Sequence, residues 1–303
     1  MAELAIEQST VPRWRQYYNL TKPKVVALIV FTAVVGMLLS THGMVPLQAL
    51  IFGTLGIALA AASGAAINHV VDQRIDAVMA RTQNRPLPTG QLDEKSAMIF
   101  ALTLALIAMA VLLAFVNVLT AWLTFISLIG YAVIYTMFLK RSTPQNIVLG
   151  GAAGATPPLL GWTAVTGEIN TEALLLFLII FVWTPPHFWA LAIRRREEYA
   201  KVNVPMLPVT HGVRFTKQHI LMYTLMLFAV TLMPFTIHMS GTIYLAGAVA
   251  LGIGFIYYAA RLCCSDSDRL AMKTFGYSIF YLSALFAFLL IDHYVRLVVR
   301  SFI

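Results

Sequence analysis

Three oxygen-bearing side chains recur at every fourth position near the end of an apolar stretch. They are Asn68, Asp72 and Asp76. On an α-helix of 3.6 residues per turn, steps of four advance by only about 40°, so these side chains form a stripe roughly 12 Å long on one face. Such a stripe suits Mg²⁺, which binds one or two carboxylates and leaves room for water and substrate phosphate oxygens. The alternative is a solvated helix end whose carboxylates pair with the arginines that follow.

Positively charged side chains follow this stripe closely. Arg81 and Arg85 stand just before a rigid Pro86-Leu87-Pro88 turn. Because the planar guanidinium group matches phosphate oxygens, arginines at this position are suited to binding a diphosphate. A metal beside them would neutralise the charge that develops on a diphosphate leaving group. We therefore predict that the catalytic and magnesium-binding residues are Asn68, Asp72 and Asp76, and that the diphosphate-binding residues are Arg81, Arg85, Lys140, Arg141 and Lys22.

A second polar stretch, residues 187–201, carries mainly positive charge. We predict that Arg195 and Lys201 bind an anionic substrate, and that Glu198 contributes to a metal site or orients a basic group. His187, on the inner half of a predicted helix, could ligate iron or transfer a proton. Two simpler interpretations stay open: the arginines only fix the orientation of the chain in a membrane, and the histidine is an ordinary packed side chain.

The composition of the surrounding chain is that of an integral membrane protein. Hydrophobic residues make up 59% of the 303 residues and charged residues only 11%, against about 25% charged in soluble domains. Six runs carry no charge: 25–71, 96–139, 142–167, 173–193, 218–260 and 274–291. A helix that crosses the bilayer needs about 20 residues. The predicted fold is therefore all-α, with nine transmembrane helices bundled in a single domain over residues 1–303.

The distribution of basic residues predicts how this bundle is oriented. If the nine spans alternate in direction, nineteen of the 21 lysines and arginines lie on one side of the membrane. Only Arg296 and Arg300 lie on the other side. By the positive-inside rule, the N-terminal segment 1–20 and the loops 68–95 and 187–217 are cytoplasmic, and the C-terminus is outside. This asymmetry assigns the net charge of +8 to topology rather than to nucleic-acid binding. The first eight residues lack the arginines of a mitochondrial transit peptide, so the predicted location is a bacterial inner membrane.

The two long polar loops occupy equivalent positions four predicted helices apart. Residues 85–90 read RPLPTG and residues 205–212 read PMLPVTHG, so the loops also share a short motif. We infer a parallel repeat of four helices, with a ninth helix added. Membrane proteins built from repeats commonly place their site at the repeat interface. The alternative is a chance similarity between two proline-rich turns.

Apolar spans closed at one end by metal and phosphate ligands predict a chamber for a lipid-like diphosphate. Ionisation of an allylic diphosphate gives a carbocation, which aromatic faces stabilise and exclusion of water protects. The candidate aromatic residues are Tyr131, Tyr135, Trp162 and Trp189, each of which could instead be a packing residue. The glycines before Pro157-Pro158 predict a broken helix or the close approach of a bulky ligand.

Three stretches together resemble the intramembrane prenyltransferases of the UbiA type, and within that family the branch that prenylates haem. They are residues 68–90, residues 135–162 with Leu139-Lys140-Arg141, and residues 183–212 with His187-Phe188-Trp189 and Pro205-Met206-Leu207-Pro208. In the wider family both polar loops are rich in aspartate. Here the second loop is basic and bears a histidine, as in the haem branch.

The resemblance implies that farnesyl diphosphate ionises, that a vinyl group of haem b attacks its C1 atom, and that water captures the resulting cation. It implies Mg²⁺ as cofactor, haem b as a substrate, the lipid bilayer as surroundings, and transfer of the product to haem A synthase or to terminal-oxidase assembly. It also implies that His187 positions haem and that Arg195 and Lys201 meet haem propionates or phosphate. Two other functions stay open: a prenyltransferase with a phenolic or quinone-precursor acceptor, and an ion-coupled secondary transporter that uses Asp72 and Asp76.

Overall fold

The computed structural model describes residues 12–301. Within that range, all regular secondary structure is helical. This confirms the all-α prediction. Residues 1–11 of the predicted cytoplasmic segment lie outside the described residues.

The helices follow one another through short connections. In chain order they are α1 (Arg13–Leu20), α2 (Pro23–Leu39), α3 (Thr54–Val71), α4 (Gln73–Val78), α5 (Glu94–Phe115), α6 (Val118–Ile129), α7 (Lys140–Ser142), α8 (Asn146–Ala155), α9 (Pro157–Thr166), α10 (Thr171–Arg194), α11 (Arg196–Lys201), α12 (Leu207–Thr210), α13 (Gly212–Thr236), α14 (Thr242–Cys263) and α15 (Asp268–Ser301). Two π-helical segments, Ala49–Gly53 and Gly130–Leu139, lead into α3 and α7.

Seven helices are long and apolar enough to cross a bilayer, when each π-helical segment is counted together with the α-helices that continue it. They are Ala49–Val71, Glu94–Phe115, Val118–Ser142, Thr171–Arg194, Gly212–Thr236, Thr242–Cys263 and Asp268–Val299. α1 and α2 pass the same test only as a pair, with a 49° bend between them. The described residues therefore contain seven candidate spans, or eight with the bent pair, where the sequence predicts nine.

The remaining predicted span, residues 142–167, is helical but interrupted. α8 ends at Ala155, and α9 begins with Pro157 in its first turn. Proline has no backbone N–H to donate to the preceding turn and is well accommodated at the first position of a helix. The pair Pro157-Pro158 therefore divides this segment, and the predicted break is confirmed.

The two long polar loops contact each other through apolar side chains. Ile75, in the first loop, packs against a buried cluster that includes Val204, Met206 and Leu207 of the second. Ion pairs tie further connections near this region: Lys140 pairs with Asp72, and Arg196 pairs with Asp268.

α2 and α9 cross at unusually close range. A Cβ atom at Gly36 would lie 2.1 Å from the Pro158 carbonyl oxygen, and one at Gly161 would lie 1.8 Å from the Ala33 carbonyl oxygen. Small residues permit this close approach of two backbones, a common packing device in membranes. The contact holds α2, which carries one wall of the chamber described below, against the broken segment.

Replacing Gly161 by alanine should destabilise the bundle. The new methyl group would meet backbone atoms that cannot rotate away, and overpacking of this kind costs about 1–3 kcal/mol. We expect a lower Tm of the purified protein in detergent. Gly276→Ala is the matched control, because a Cβ there meets no atom within 4 Å. Equal Tm values for the two variants would contradict the close-packing interpretation.

Candidate active site

The predicted oxygen stripe lies across a helix break rather than within one continuous helix. α3 ends at Val71, Asp72 follows with φ −88° and ψ 2°, and α4 begins at Gln73. The Asp72 amide still donates to the Asn68 carbonyl at 3.0 Å, and the Asp76 amide donates to the Asp72 carbonyl at 2.8 Å. The four-residue spacing is therefore kept through the turn.

Asp72 is the centre of a buried polar cluster. Its Oδ2 atom accepts hydrogen bonds from Asn68 Nδ2 at 2.8 Å and from Lys140 Nζ at 2.5 Å. Lys22 Nζ donates to Asn68 Oδ1, and Arg141 Nη2 lies 3.9 Å from Asp72 Oδ1. Asp72 is only 2% exposed. A carboxylate held in this way is not part of a solvated helix end.

Asp76 forms a second ion pair within the same cluster. Its Oδ2 atom lies 2.5 Å from Arg85 Nη1, and Asp76 is also buried. Thr82 Oγ1 donates to the Asp76 carbonyl at 3.0 Å, and Leu87 is 1% exposed. These contacts fold the Pro86-Leu87-Pro88 turn back onto α4, so that Arg85 reaches the carboxylate.

The cluster has the charge balance of an anion-binding site. Four cations, Lys22, Arg85, Lys140 and Arg141, surround two carboxylates, which leaves a formal excess of two positive charges. Excess positive charge in a partly desolvated site attracts phosphate oxygens strongly. Asp72 Oδ1 is buried and accepts no hydrogen bond from the described residues, so it is an available oxygen ligand.

Two residues in this region differ from the sequence prediction. Arg81 is exposed and forms no ion pair with the described residues, so the structure does not bring it into the cluster. Thr136 was not predicted, yet its Oγ1 atom accepts from Asn68 Nδ2 at 3.3 Å and donates to the Tyr131 carbonyl at 2.8 Å. The only signal for it was a hydroxyl residue inside an uncharged run.

A chamber of about 530 Å³ adjoins this cluster, because Lys22 belongs both to the chamber wall and to the hydrogen-bond network. Most of the wall is apolar, and it is contributed by α2, α3, α6, Gly130–Leu139, α8, α9, α10 and α15. A largely apolar cavity with a few convergent polar groups is the usual form of a small-molecule site.

The π-helical segment Gly130–Leu139 presents two tyrosines to the chamber. Tyr131 and Tyr135 both line it, and their rings stack with centroids 5.8 Å apart. Gly150 makes room for this arrangement, since a Cβ there would lie 2.1 Å from the Tyr135 ring. π-Helical turns often occur at functional sites. The other two candidate aromatics, Trp162 and Trp189, are buried in the packing and do not line the chamber.

His187 lines the chamber from α10. Its ring stacks between Trp183 and Phe275, at centroid distances of 4.2 and 4.5 Å. His187 Nδ1 lies 2.7 Å from Ser278 Oγ, which in turn donates to the Phe275 carbonyl at 2.6 Å. Because the hydroxyl has one proton to donate, it accepts from Nδ1–H. The neutral ring therefore carries its free lone pair on Nε2. Ser278 and Phe275 were not predicted from the sequence.

The second polar stretch forms a looser group beyond the end of α10. Arg195 Nη1 and Glu198 Oε2 are buried atoms with no hydrogen bond to any described residue, whereas Lys201 is exposed. Arg196 and Arg194 instead lie 2.8 and 3.8 Å from Asp268, so these two arginines tie α10 and α11 to α15. Of the three arginines, Arg195 alone has this buried, unpartnered nitrogen.

The model of the UbiA prenyltransferase family matches residues 29–289. The chain belongs to this family. It is 68% identical over 297 residues to the protoheme IX farnesyltransferase of Thioalkalivibrio sulfidiphilus, with 98% of each chain covered. It is 62% identical over 294 residues to the enzyme of that name from Nitrosococcus oceani, with 97% of this chain and 98% of the relative covered.

Solved structures share the fold at low sequence identity. A structure of digeranylgeranylglyceryl phosphate synthase matches with a TM-score of 0.79 and 19% identity, covering 92% of this chain and 98% of that one. A UbiA homologue from Archaeoglobus fulgidus, bound to GPP and Mg²⁺, matches with a TM-score of 0.61 and 16% identity, covering 90% and 99%. The helical bundle is therefore that of the family.

Replacing Arg85 by methionine should loosen the turn that carries it. The apolar stem is kept but the buried Asp76 carboxylate loses its partner. Breaking a fully buried pair costs about 3–5 kcal/mol, and here we expect about 2 kcal/mol because the Arg85 side chain is 25% exposed. Limited proteolysis of residues 79–92 should become faster. Arg81→Met is the control, and equal cleavage rates for the two variants would disprove the structural role of the pair.

Proposed function

We propose that the protein transfers a farnesyl group from farnesyl diphosphate to a vinyl group of haem b, with addition of water, to give haem O and diphosphate. One observation carries this proposal: a buried cluster of carboxylates and cations adjoins an apolar chamber through Lys22, which belongs to both. The cluster fits a diphosphate and the chamber fits its hydrocarbon tail. The relatives that match over nearly the whole chain bear the name of this activity.

The donor atoms of the cluster fit Mg²⁺. Asn68, Asp72 and Asp76 offer amide and carboxylate oxygens, and Asp72 Oδ1 has a free acceptor position. No three His, Cys, Asp or Glu side chains within the described range form a closed metal cage. An open set of this kind matches the preference of Mg²⁺ for few carboxylates together with substrate oxygens. When bound, the metal would supply charge neutralisation at the leaving diphosphate.

The chain's own residues would bind and orient the reacting groups. Lys140, Arg85 and Lys22 hold the diphosphate, which leaves with the electron pair of the C1–O bond. The Tyr131 and Tyr135 rings face the chamber close to this end and stabilise the allylic cation. The terminal vinyl carbon of haem bonds to C1, the positive charge moves to the adjacent vinyl carbon, and water adds there with loss of a proton. We also propose that Arg81 and Arg141 assist from the rim of the cluster.

The acceptor would lie between the chamber and the second polar stretch. The Nε2 lone pair of His187 is available to the haem iron, and the unpartnered Arg195 nitrogen fits a propionate. We assign Lys201 to the second propionate and Glu198 to orientation of these basic groups. A phenolic acceptor is the second candidate, because Arg195 would equally bind an aromatic carboxylate. A carrier function is disfavoured, since carrier sites lie near the bilayer midplane and this cluster lies at helix ends.

We further propose that nine segments cross a bacterial inner membrane as one domain, with the N-terminus in the cytoplasm and the C-terminus outside. Two segments then cross in a bent or broken form, α1 with α2 and α8 with α9. A parallel repeat of four helices plus one is supported by a backbone feature that the ends of α3 and α10 share. Each is followed by one non-helical residue and a six-residue helix, α4 or α11. We also propose that the haem O product passes to haem A synthase or to terminal-oxidase assembly.

Asp72→Asn should abolish most activity while the protein still inserts. The substitution removes one negative charge from the metal-binding set and keeps the size of the side chain. With membranes, haem b, farnesyl diphosphate and Mg²⁺, we expect turnover to fall by about 100-fold or more, about 3 kcal/mol of transition-state stabilisation. Removing Mg²⁺ with a chelator should stop the wild-type reaction. Asp93→Asn, at an exposed helix cap, is the matched control. Unchanged turnover in Asp72→Asn would refute the metal assignment.

A competition assay tests the acceptor. Haem b and 4-hydroxybenzoate are offered together with labelled farnesyl diphosphate, and we expect the label on haem because the second stretch is basic and His187 faces the chamber. Label found only on the phenol would overturn the haem assignment and support the second candidate.

A further inference from the structure

Three hydroxyl residues line the chamber away from the charged cluster, although most of its wall is apolar. We call Thr124, Ser127 and Thr156 the chamber floor; all three line the cavity. Ser127 Oγ and Thr156 Oγ1 lie 2.7 Å apart, and Thr156 Oγ1 donates to the Ala153 carbonyl at 2.9 Å. Thr124 Oγ1 has no hydrogen-bond partner among residues 12–301 and is itself buried, so the wall encloses this hydroxyl and it does not face the cavity.

The distance from the cluster to this floor is limited. On α3, the chamber wall reaches Ile57, which is eleven residues from Asn68 and thus about 16 Å away at a rise of 1.5 Å per residue. On α8, Gly154 lies eight residues from Asn146, about 12 Å along the helix. A substrate tail anchored at the cluster therefore meets the level of Gly154 first and then the floor.

Only one part of the proposed substrates can occupy this inner end. Haem carries two propionates, whose charges must stay near the cations at the mouth, because an unpaired charge in an apolar site is very costly. The farnesyl tail is pure hydrocarbon, and its head is fixed at the cluster. The inner half of the chamber is thus left to the tail.

Gly154 is the open point in the wall beside the tail. A Cβ atom at Gly154 meets nothing within 4 Å, and the residue lines the chamber. The neighbouring glycines differ, because a Cβ at Gly150 would strike the Tyr135 ring and one at Gly151 would lie 2.9 Å from Thr184. Those two glycines allow helix packing. The space beside Gly154 is unfilled by the protein.

We propose that Gly154 determines which prenyl chain lengths the protein accepts. Gly154 leaves the width that the third isoprene unit needs. This inference rests on the proposed function for the identity of the donor, but it concerns a different end of the chamber.

Geranyl, farnesyl and geranylgeranyl diphosphates test the proposal. Each is measured for binding to the purified protein with Mg²⁺ and no acceptor, and for transfer to haem b. In Gly154→Leu the preference for farnesyl over geranyl diphosphate should fall at least tenfold in both assays, because the new side chain fills the space of the third unit. Gly276→Leu is the matched control, since Gly276 also has open space around it but does not line the chamber.

A smaller replacement keeps the test valid if the leucine variant does not accumulate. Gly154→Val is then measured for the same ratio, with the same direction expected. Unchanged chain-length ratios in Gly154→Leu, or in Gly154→Val where that variant replaces it, would overturn the proposal.

The two assays separate this proposal from the proposed function. A wild-type protein that binds farnesyl diphosphate in preference to geranyl diphosphate but transfers neither to haem b would refute the haem acceptor and leave the length determinant intact. Normal farnesyl transfer to haem b, with unaltered chain-length ratios in the variants, would refute the length determinant and leave the proposed function intact.

Discussion

The burial of two carboxylates at one end of the bundle is the constraint on which the rest of the site depends. Moving a carboxylate out of water costs several kcal/mol unless close partners compensate for the lost hydration. Here the partners come from separate parts of the chain: Lys22 before α2, Arg85 from the turn after α4, and Lys140 at the end of a π-helical segment. The cluster therefore joins four segments, and it meets the chamber at Lys22.

This arrangement separates charge from hydrocarbon within a single cavity. The charged groups lie at one end, where Lys22 and Asn68 meet, and the walls below are formed largely by small and apolar side chains. A substrate with an anionic head and an apolar tail can satisfy both regions at once. Exclusion of water from the walls strengthens the electrostatic interactions at the head and protects a cationic intermediate. Tyr131 and Tyr135 lie at the boundary between the two regions.

Spacing alone predicted the centre of this site, because Asn68, Asp72 and Asp76 are close in sequence and helical periodicity fixes their relation. The contrast between Arg81 and Arg85 could not be predicted, since both precede the same turn and only folding of that turn brings Arg85 to Asp76. The pairing of Asp72 with Lys140 spans 68 residues and depends on packing. The π-helical geometry that stacks Tyr131 on Tyr135 has no clear sequence signal.

The fold, like the site, could be predicted from the sequence only in part. Charge-free runs predicted the helices, and Pro157-Pro158 predicted the break in the fifth segment. The bend between α1 and α2 was not predicted, because it occurs at Lys22, which adopts a left-handed conformation (φ 50°). Left-handed backbone is unfavourable for a residue with a Cβ atom. At Lys22, the hydrogen bond to Asn68 can compensate for this cost.

A final comparison concerns the residues that end the two long helices beside the site. Asp72 follows α3 and Arg195 follows α10, each with ψ close to zero and each before a six-residue helix. The same backbone geometry thus presents a carboxylate in one half of the chain and a guanidinium group in the other. The carboxylate pairs with two cations, Lys140 and Arg141, whereas the guanidinium group keeps a buried nitrogen with no hydrogen bond to the described residues. Opposite charges at these two turns fit the two proposed substrates, a metal-bound diphosphate at Asp72 and a carboxylate-bearing acceptor at Arg195. Two identical acidic halves would repel the second of these substrates.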